Sequence, residues 1–166
     1  MNITIRKAKL GDEKILAYIQ TESWKSAFAD IISAENMERC TDIAKTEAMY
    51  ENVLKSGYAE ISILEIDGKP HCIAAWCKAR NPQFSDCAEL ICIHSLSKNH
   101  GKGYGSMMMN HILKEIHGSE YDSVILWVFK MNTRARGFYE KHGFELTDNT
   151  QTSYDAVEVM YRKELR

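Results

Sequence analysis

The run "HGKGYGS", His100 to Ser106, sets three glycines into seven residues, and Met107, Met108, Met109 and Ile112 follow it. Glycine has no Cβ, so such a run lets the backbone turn sharply and leaves its N–H groups open to contact. If a helix begins here, its first amides have no partner within the helix, and the positive end of the helix dipole lies beside them. That combination suits an anion. The segment from Gly101 to Met107 contains no Asp or Glu, residues otherwise favoured in a first helical turn. Spacing excludes two nucleotide loops: Lys102 is followed by Gly103 where a Walker loop needs Ser or Thr. The G-x-G-x-x-G pattern fails at Ser106 or at Met108, according to which glycine starts it. An ordinary tight turn would use the same glycines, so the meaning of the loop depends on the elements around it.

Those elements can be read from periodicity. "CAELICIHSL" is a long, nearly unbroken apolar run, as expected of a central strand covered on both faces. It leads straight into the glycines. Beyond them Met108 or Met109, Ile112, Leu113 and Ile116 recur at three or four residues, which predicts a helix from Tyr104 to His117 that stops at Gly118. "SVILWVF" predicts another strand, "NTRARGFYEKHG" a short helix between an Asn cap and a Gly stop, and "FEL" and "AVEVMYRKEL" the closing strands. Upstream, "NITIRKA" alternates as a strand. Ile15, Leu16 and Ile19 begin a helix that runs to about Phe28, and "CTDIAKTEAMYENVLKSG" predicts a second. "YAEISILEI" and "HCIAAWCKA" flank an Asp-Gly turn and form a hairpin. Six or seven strands and about four helices make an α/β (α+β) architecture.

Composition narrows the function. A chain of 166 residues with net charge −2, 45% hydrophobic and 27% charged, is sized for one domain over residues 1–166 and lacks the basic surface that tracks nucleic acid. With two prolines, no repeat and no Gly/Ser linker, nothing divides it. The five cysteines are odd in number, contain no C-x-x-C and fall largely in strand-like runs, so they read as reduced thiols of a cytoplasmic protein. No apolar signal core and no stretch of membrane-spanning length is present, so no membrane partner is expected.

Two stretches together are more specific than the loop alone. "AELICIHSLSKNHGKGYGSMMMNHILKEI" and "LWVFKMNTRARGFYEKHGFEL" resemble the GNAT superfamily of acetyl-CoA-dependent N-acetyltransferases, whose pyrophosphate loop reads [Q/R]-x-x-G-x-[G/A]. Here the loop is His100, Gly101, Lys102, Gly103, Tyr104 and Gly105, with Ser106 next. The second stretch matches the later signature of Asn132, an Arg-containing turn, Phe138-Tyr139 and Gly143-Phe144. His100 departs from the usual Gln or Arg; because the grip comes mainly from backbone N–H groups, His100 is expected to tune coenzyme binding without abolishing it.

The resemblance implies a mixed, mostly antiparallel sheet whose central strands splay, with acetyl-CoA as cosubstrate. Its pantetheine arm would hydrogen-bond to the strand backbone at Ile93, His94 and Ser95. A primary amine, in a small molecule or a peptide, would attack the thioester directly in a ternary complex. Such an amine, with a pKa near about 10.4, arrives protonated at pH 7 and needs a base. Glu89 lies where some family members carry theirs. Alternation would set it on the face of Ile91 and Ile93, among apolar neighbours that would raise its pKa. A Glu in an ion pair or facing solvent is the plain alternative. Tyr139 matches the general-acid position and would supply a proton to the departing thiolate; otherwise it packs beside Phe138. Asn132 would cap a helix, touch the pantetheine, or do both. Trp24 and Phe28 share a helical face and would line the acceptor cleft, with core packing the alternative for at least one.

No His, Cys, Asp and Glu spacing suggests a metal. The leading expectation is an N-acetyltransferase; a non-catalytic acyl-CoA-binding or regulatory domain is the alternative from another class. Weak acidity favours cationic acceptors such as polyamines, aminoglycosides or a peptide N-terminus. Members of this family often pair, so a homodimer is compatible with the sequence.

Overall fold

The alternating and apolar runs come together in one sheet of seven strands in the order β1-β2-β3-β4-β5-β7-β6. The computed structural model describes residues 1–166. Its strands are β1 (Ile3–Lys7), β2 (Glu60–Ile66), β3 (Lys69–Lys78), β4 (Ala88–Ser95), β5 (Ser123–Phe129), β6 (Glu145–Ser153) and β7 (Ala156–Glu164). The α-helices are α1 (Glu13–Ala27), α2 (Ala34–Cys40), α3 (Ile43–Ser56), α4 (Tyr104–His117) and α5 (Thr133–Lys141). Every neighbouring pair is antiparallel except β4 and β5, which run parallel because α4 carries the chain back across the sheet.

The Asp67-Gly68 turn closes the β2–β3 hairpin with both residues at positive φ, 49° and 74°, as its sequence predicts. The α4 and β5 spans agree with their periodicity. Five α-helices stand where about four are expected. The additional one, α2, has seven residues and no buried apolar stripe; its start is set by Ser33, whose hydroxyl accepts from the Asn36 amide at 3.1 Å. Strand β6 is much longer than "FEL". Its sequence is polar and largely exposed, and pairing with β7 makes it a strand. The intervening turn places Tyr154 and Asp155 at φ 50° and 61° without a glycine.

Each sheet face carries its own core. On one, Met108, Met109, Ile112 and Ile116 of α4 pack with Tyr139 of α5 against Leu90, Leu126 and Tyr161. On the other, Leu16 and Ile19 of α1 and Tyr50 of α3 cover Ile61, Ile63 and Ile73. The register of β4 changes between them. Ala75 faces Cys92 while Trp76 faces Leu90, so Ile91 is an extra residue, a β-bulge. The bulge reverses the alternation read from sequence: Ile91 and Cys92 both pack on the α1 side, whereas Ile93 turns to the α4 core. Glu89 and Ile93 therefore do not share a face.

Ile112 is 1% exposed at the centre of the α4 face. Replacement by Ala should cost about 2–5 kcal/mol, read as a lowered denaturation midpoint with an unchanged slope in urea.

Candidate active site

Strands β4 and β5 pair only at Ala88 with Val124 and Glu89 with Ile125. Beyond Glu89 they part, although β4 continues to Ser95 and stays bonded to β3 through Cys72 opposite Ser95. The β5-facing edge of β4 from Leu90 to Ser95 thus has no ladder partner. Ile93, His94 and Ser95 all lie on this open stretch. Burial pushes the His94 imidazole down to about 4, so the ring is neutral at pH 7.

The glycine loop stands at the open end. Gly101 and Gly103 have φ of +79° and +85°, a region that glycine enters without the penalty of a Cβ. The first α4 bond runs from the Met107 amide to the Gly103 carbonyl at 3.0 Å, and the amides from Gly101 to Ser106 find no backbone acceptor. No acidic side chain stands in the first turn. A cluster of unpaired donors at a helix start, with no competing carboxylate, fits a diphosphate. Tyr104 contributes only its backbone here. Its ring is 6% exposed in the α4 core, 5.3 Å from His71, and its hydroxyl donates to Met1 Sδ at 3.4 Å. The Ser106 hydroxyl is engaged by His142 Nε2 at 3.1 Å, and Lys102 Nζ donates to Asn99 Oδ1 at 2.9 Å on the surface.

His100, the departure from the family pattern, ties the loop to two elements. Arg134 Nη1 lies 2.5 Å from Nδ1, and Nε2 lies 3.2 Å from the Ser95 carbonyl. A guanidinium can only donate, so Nδ1 accepts and Nε2 carries the proton that it donates to Ser95. Burial, then the charge of Arg134, lowers the imidazole pKa, opposed by the Ser95 bond. Arg134, in the first turn of α5 and within the Arg-containing turn that follows Asn132, is a positive neighbour of the loop, a contact that the motif alone does not assign to it. Asn132 itself caps α5, its Oδ1 accepting from the Ala135 amide at 3.2 Å.

Tyr139 projects from α5 into the α4 core, 8% exposed, with its ring 5.7 Å from Phe138 and 5.9 Å from Phe144. Burial, with the neighbouring Cys92 thiol second, raises its hydroxyl pKa, so it holds its proton at neutral pH; no hydrogen bond offsets this. Glu89 is 2% exposed, but its surroundings differ from the apolar setting expected. The Arg80 amide donates to Oε2 at 2.9 Å, while Arg80 Nε and Nη2 donate to Oε1 at 3.1 and 2.5 Å. Both oxygens are committed to one arginine, so the ion pair named as the alternative is what the chain builds. Arg80 follows β3 and carries no sequence signal for this contact.

Trp24 and Phe28 lie outside the buried cores. Their rings meet edge to face at 5.0 Å, and Phe28 meets Phe129 at 5.0 Å, on the α1 side of the sheet where β5 ends. Phe129 joins this cluster through register alone.

Comparison with known proteins agrees with this geometry. Residues 22–144 match the acetyltransferase (GNAT) family, and the chain belongs to it. A probable N-acetyltransferase of Mycobacterium tuberculosis is 26% identical over 152 residues, 91% of this chain and 84% of that protein. The PaiA N-acetyltransferase of Thermoplasma acidophilum, solved with coenzyme A, superposes with a TM-score of 0.83 at 21% identity over 99% of each chain. The yncA protein of Salmonella typhimurium, a proposed acetyltransferase solved with acetyl-CoA, gives 0.75 at 17% identity over 99% of this chain and 94% of that one. Family membership makes the chain an acyltransferase dependent on acetyl-CoA.

Because Arg134 bonds only the neutral ring, protonation of His100 ejects it. The folded pKa lies below the ordinary 6.5, so this link contributes fully above that value and is lost as pH falls through the folded pKa. Side-chain NMR should show His100 titrating below 6.5 in the native chain and closer to it in Arg134→Ala. At Gly103 a Cβ would meet nothing within 4 Å, but φ is +85°. Gly103→Ala should let the free loop relax out of this conformation, which CoA binding must then restore at a cost of about 1 kcal/mol, roughly fivefold in Kd by calorimetry.

Proposed function

We propose that the chain transfers an acetyl group from acetyl-CoA to a primary amine by direct attack in a ternary complex. The observation that carries this reading is the opening between β4 and β5 beyond Glu89, with the unpaired amides of Gly101 to Ser106 at its far end. One feature accepts a linear chain of amide groups along a strand edge, and the other accepts its diphosphate. In this reading Gly101 to Ser106 hold the diphosphate through the backbone, Arg134 and Lys102 add charge, and the open edge from Ile93 to Ser95 holds the pantetheine. A strand N–H on that edge is a fixed donor for the oxygen that gains charge during attack.

Tyr139 is the proton donor to the departing thiol. Its buried, protonated and unbonded hydroxyl supports that role, and supports turnover over the non-catalytic coenzyme-binding alternative. With both oxygens held by Arg80, Glu89 takes no proton from the amine itself; the acceptor ammonium gives its proton to water and so to solvent before its nitrogen attacks, and Glu89 holds Arg80 in place beside the opening. Trp24 and Phe28 line the acceptor cleft.

No helix of the chain is long and apolar enough to cross a membrane. The five cysteines are free, which supports a reducing, cytoplasmic setting. The strand β6 ends the sheet with an open edge, and exposed Leu146 and Val157 on the closing hairpin support pairing of two copies there.

Thiol release from acetyl-CoA across a panel of primary amines tests the activity; CoA binding with no thiol released from any amine would overturn it. Tyr139→Phe should lower kcat by about 100-fold with the Kd for CoA unchanged within about twofold. A large loss of CoA affinity would instead assign Tyr139 to packing.

A further inference from the structure

Glu89 is paired with Arg80, yet a second carboxylate on the same side of the sheet, Glu158, forms no ion pair. Glu158 lies in β7 directly opposite Phe129, the last residue of β5, at the level where β4 and β5 have separated. Alternation sets it with Met160 on the α1 side, while Val159 and Tyr161 turn to the α4 core. Gln151, its partner on β6, donates from Nε2 to Oε2 at 2.6 Å, and Oε1 receives no hydrogen bond from the chain. Burial raises the carboxyl pKa, the Gln151 bond and Arg80 lower it, and Glu89 raises it. The Arg80 guanidinium itself donates to Glu89 and not to Glu158.

A file of four rings begins beside this carboxylate. Phe129 meets Phe28 at 5.0 Å, Phe28 meets Trp24 at 5.0 Å, and Trp24 meets Tyr154 at 5.4 Å, each nearly perpendicular to the next. Tyr154 stands in the turn just ahead of β7. The Trp24 indole N–H is buried and has no acceptor within the chain. A half-buried anion without a counter-charge is costly, and ring faces attract cations. An ammonium group bearing an apolar or aromatic body satisfies both, with the charge at Oε1 and the body along the rings.

We propose that Glu158, with Phe129, Phe28, Trp24 and Tyr154, binds the ammonium group of the acceptor and selects cationic amines that carry an adjoining apolar or aromatic body. The proposal rests on the N-acetyltransferase reading and names the acceptor class of that same site. Glu158 is a specificity-determining residue here; it gathers the cation that Glu89, already paired, does not attract.

The test uses 2-phenylethylamine, cationic at neutral pH, and 2-phenylethanol, of similar shape without the charge, titrated into the CoA-loaded chain and followed by NMR. The amine should bind at least about tenfold more tightly than the alcohol and shift the Glu158 carboxyl carbon. Glu158→Gln should bring the two within about twofold, and Phe129→Leu should weaken the amine severalfold. Equal binding of amine and alcohol, absence of amine binding, or discrimination preserved in Glu158→Gln would each overturn the proposal. The carboxyl signal of the unsubstituted chain decides the matter should Glu158→Gln fail to fold. Absence of CoA binding in the same samples would count against acetyl transfer, while the amine titration of the coenzyme-free chain judges the Glu158 site by itself.

Discussion

The site depends on how little β4 pairs with β5. Two residue pairs hold these strands together before they diverge, and a parallel neighbour that leaves so early exposes backbone donors and acceptors in the middle of an otherwise continuous sheet. Unpaired main-chain groups inside a protein are costly. They persist here because the strands are secured on their other sides, β4 by β3 along its length and β5 by β7 from Ser123 to Phe129. The two cores pack against the two faces of the sheet on either side of the opening. The Ile91 bulge fits the same constraint, turning β4 just after the last shared pair.

Charge is distributed along this opening in a way that suits a two-substrate reaction. The loop end gathers the unpaired amides of Gly101 to Ser106, Lys102 and Arg134, and contains no acid. The α1 side carries Glu89, whose charge Arg80 cancels, and Glu158, whose charge is left free. An anionic coenzyme and a cationic acceptor would be drawn to different places, which lowers the chance that either blocks the other. Buried Tyr139 belongs to the α4 core and the aromatic file to the α1 side, so the opening is the place where groups from the two faces can meet.

The loop and its helix were legible because their signals are local. Three closely spaced glycines, a first turn without acids and apolar residues at helical spacing all act within a few residues, and the structure places the helix over the same span, Tyr104 to His117. Tyr139 and Asn132 stood out through a short motif that also folds locally. Local signals do not decide where the governing contact is distant. Apolar neighbours were expected around Glu89, but Arg80, nine residues earlier, returns across the β3–β4 connection to take both oxygens. The alternation of β4 misled beyond Ile91 because a bulge is a property of a strand pair, and its partner, β3, contributes half of it. Strand β6, polar along its length, had no signal of its own.

By itself the sequence determined what short-range physics controls: helix and strand periods, glycine positions that demand a left-handed backbone, and the anion-binding start of α4. Only the tertiary structure decided which side chains of different strands share a face. That set Glu158 beside Phe129, gave His100 to Arg134, and distinguished the paired carboxylate from the free one. The physical reason is that register and bulges are fixed by contacts between segments far apart in the chain, and a one-residue change in register moves every following side chain to the opposite face.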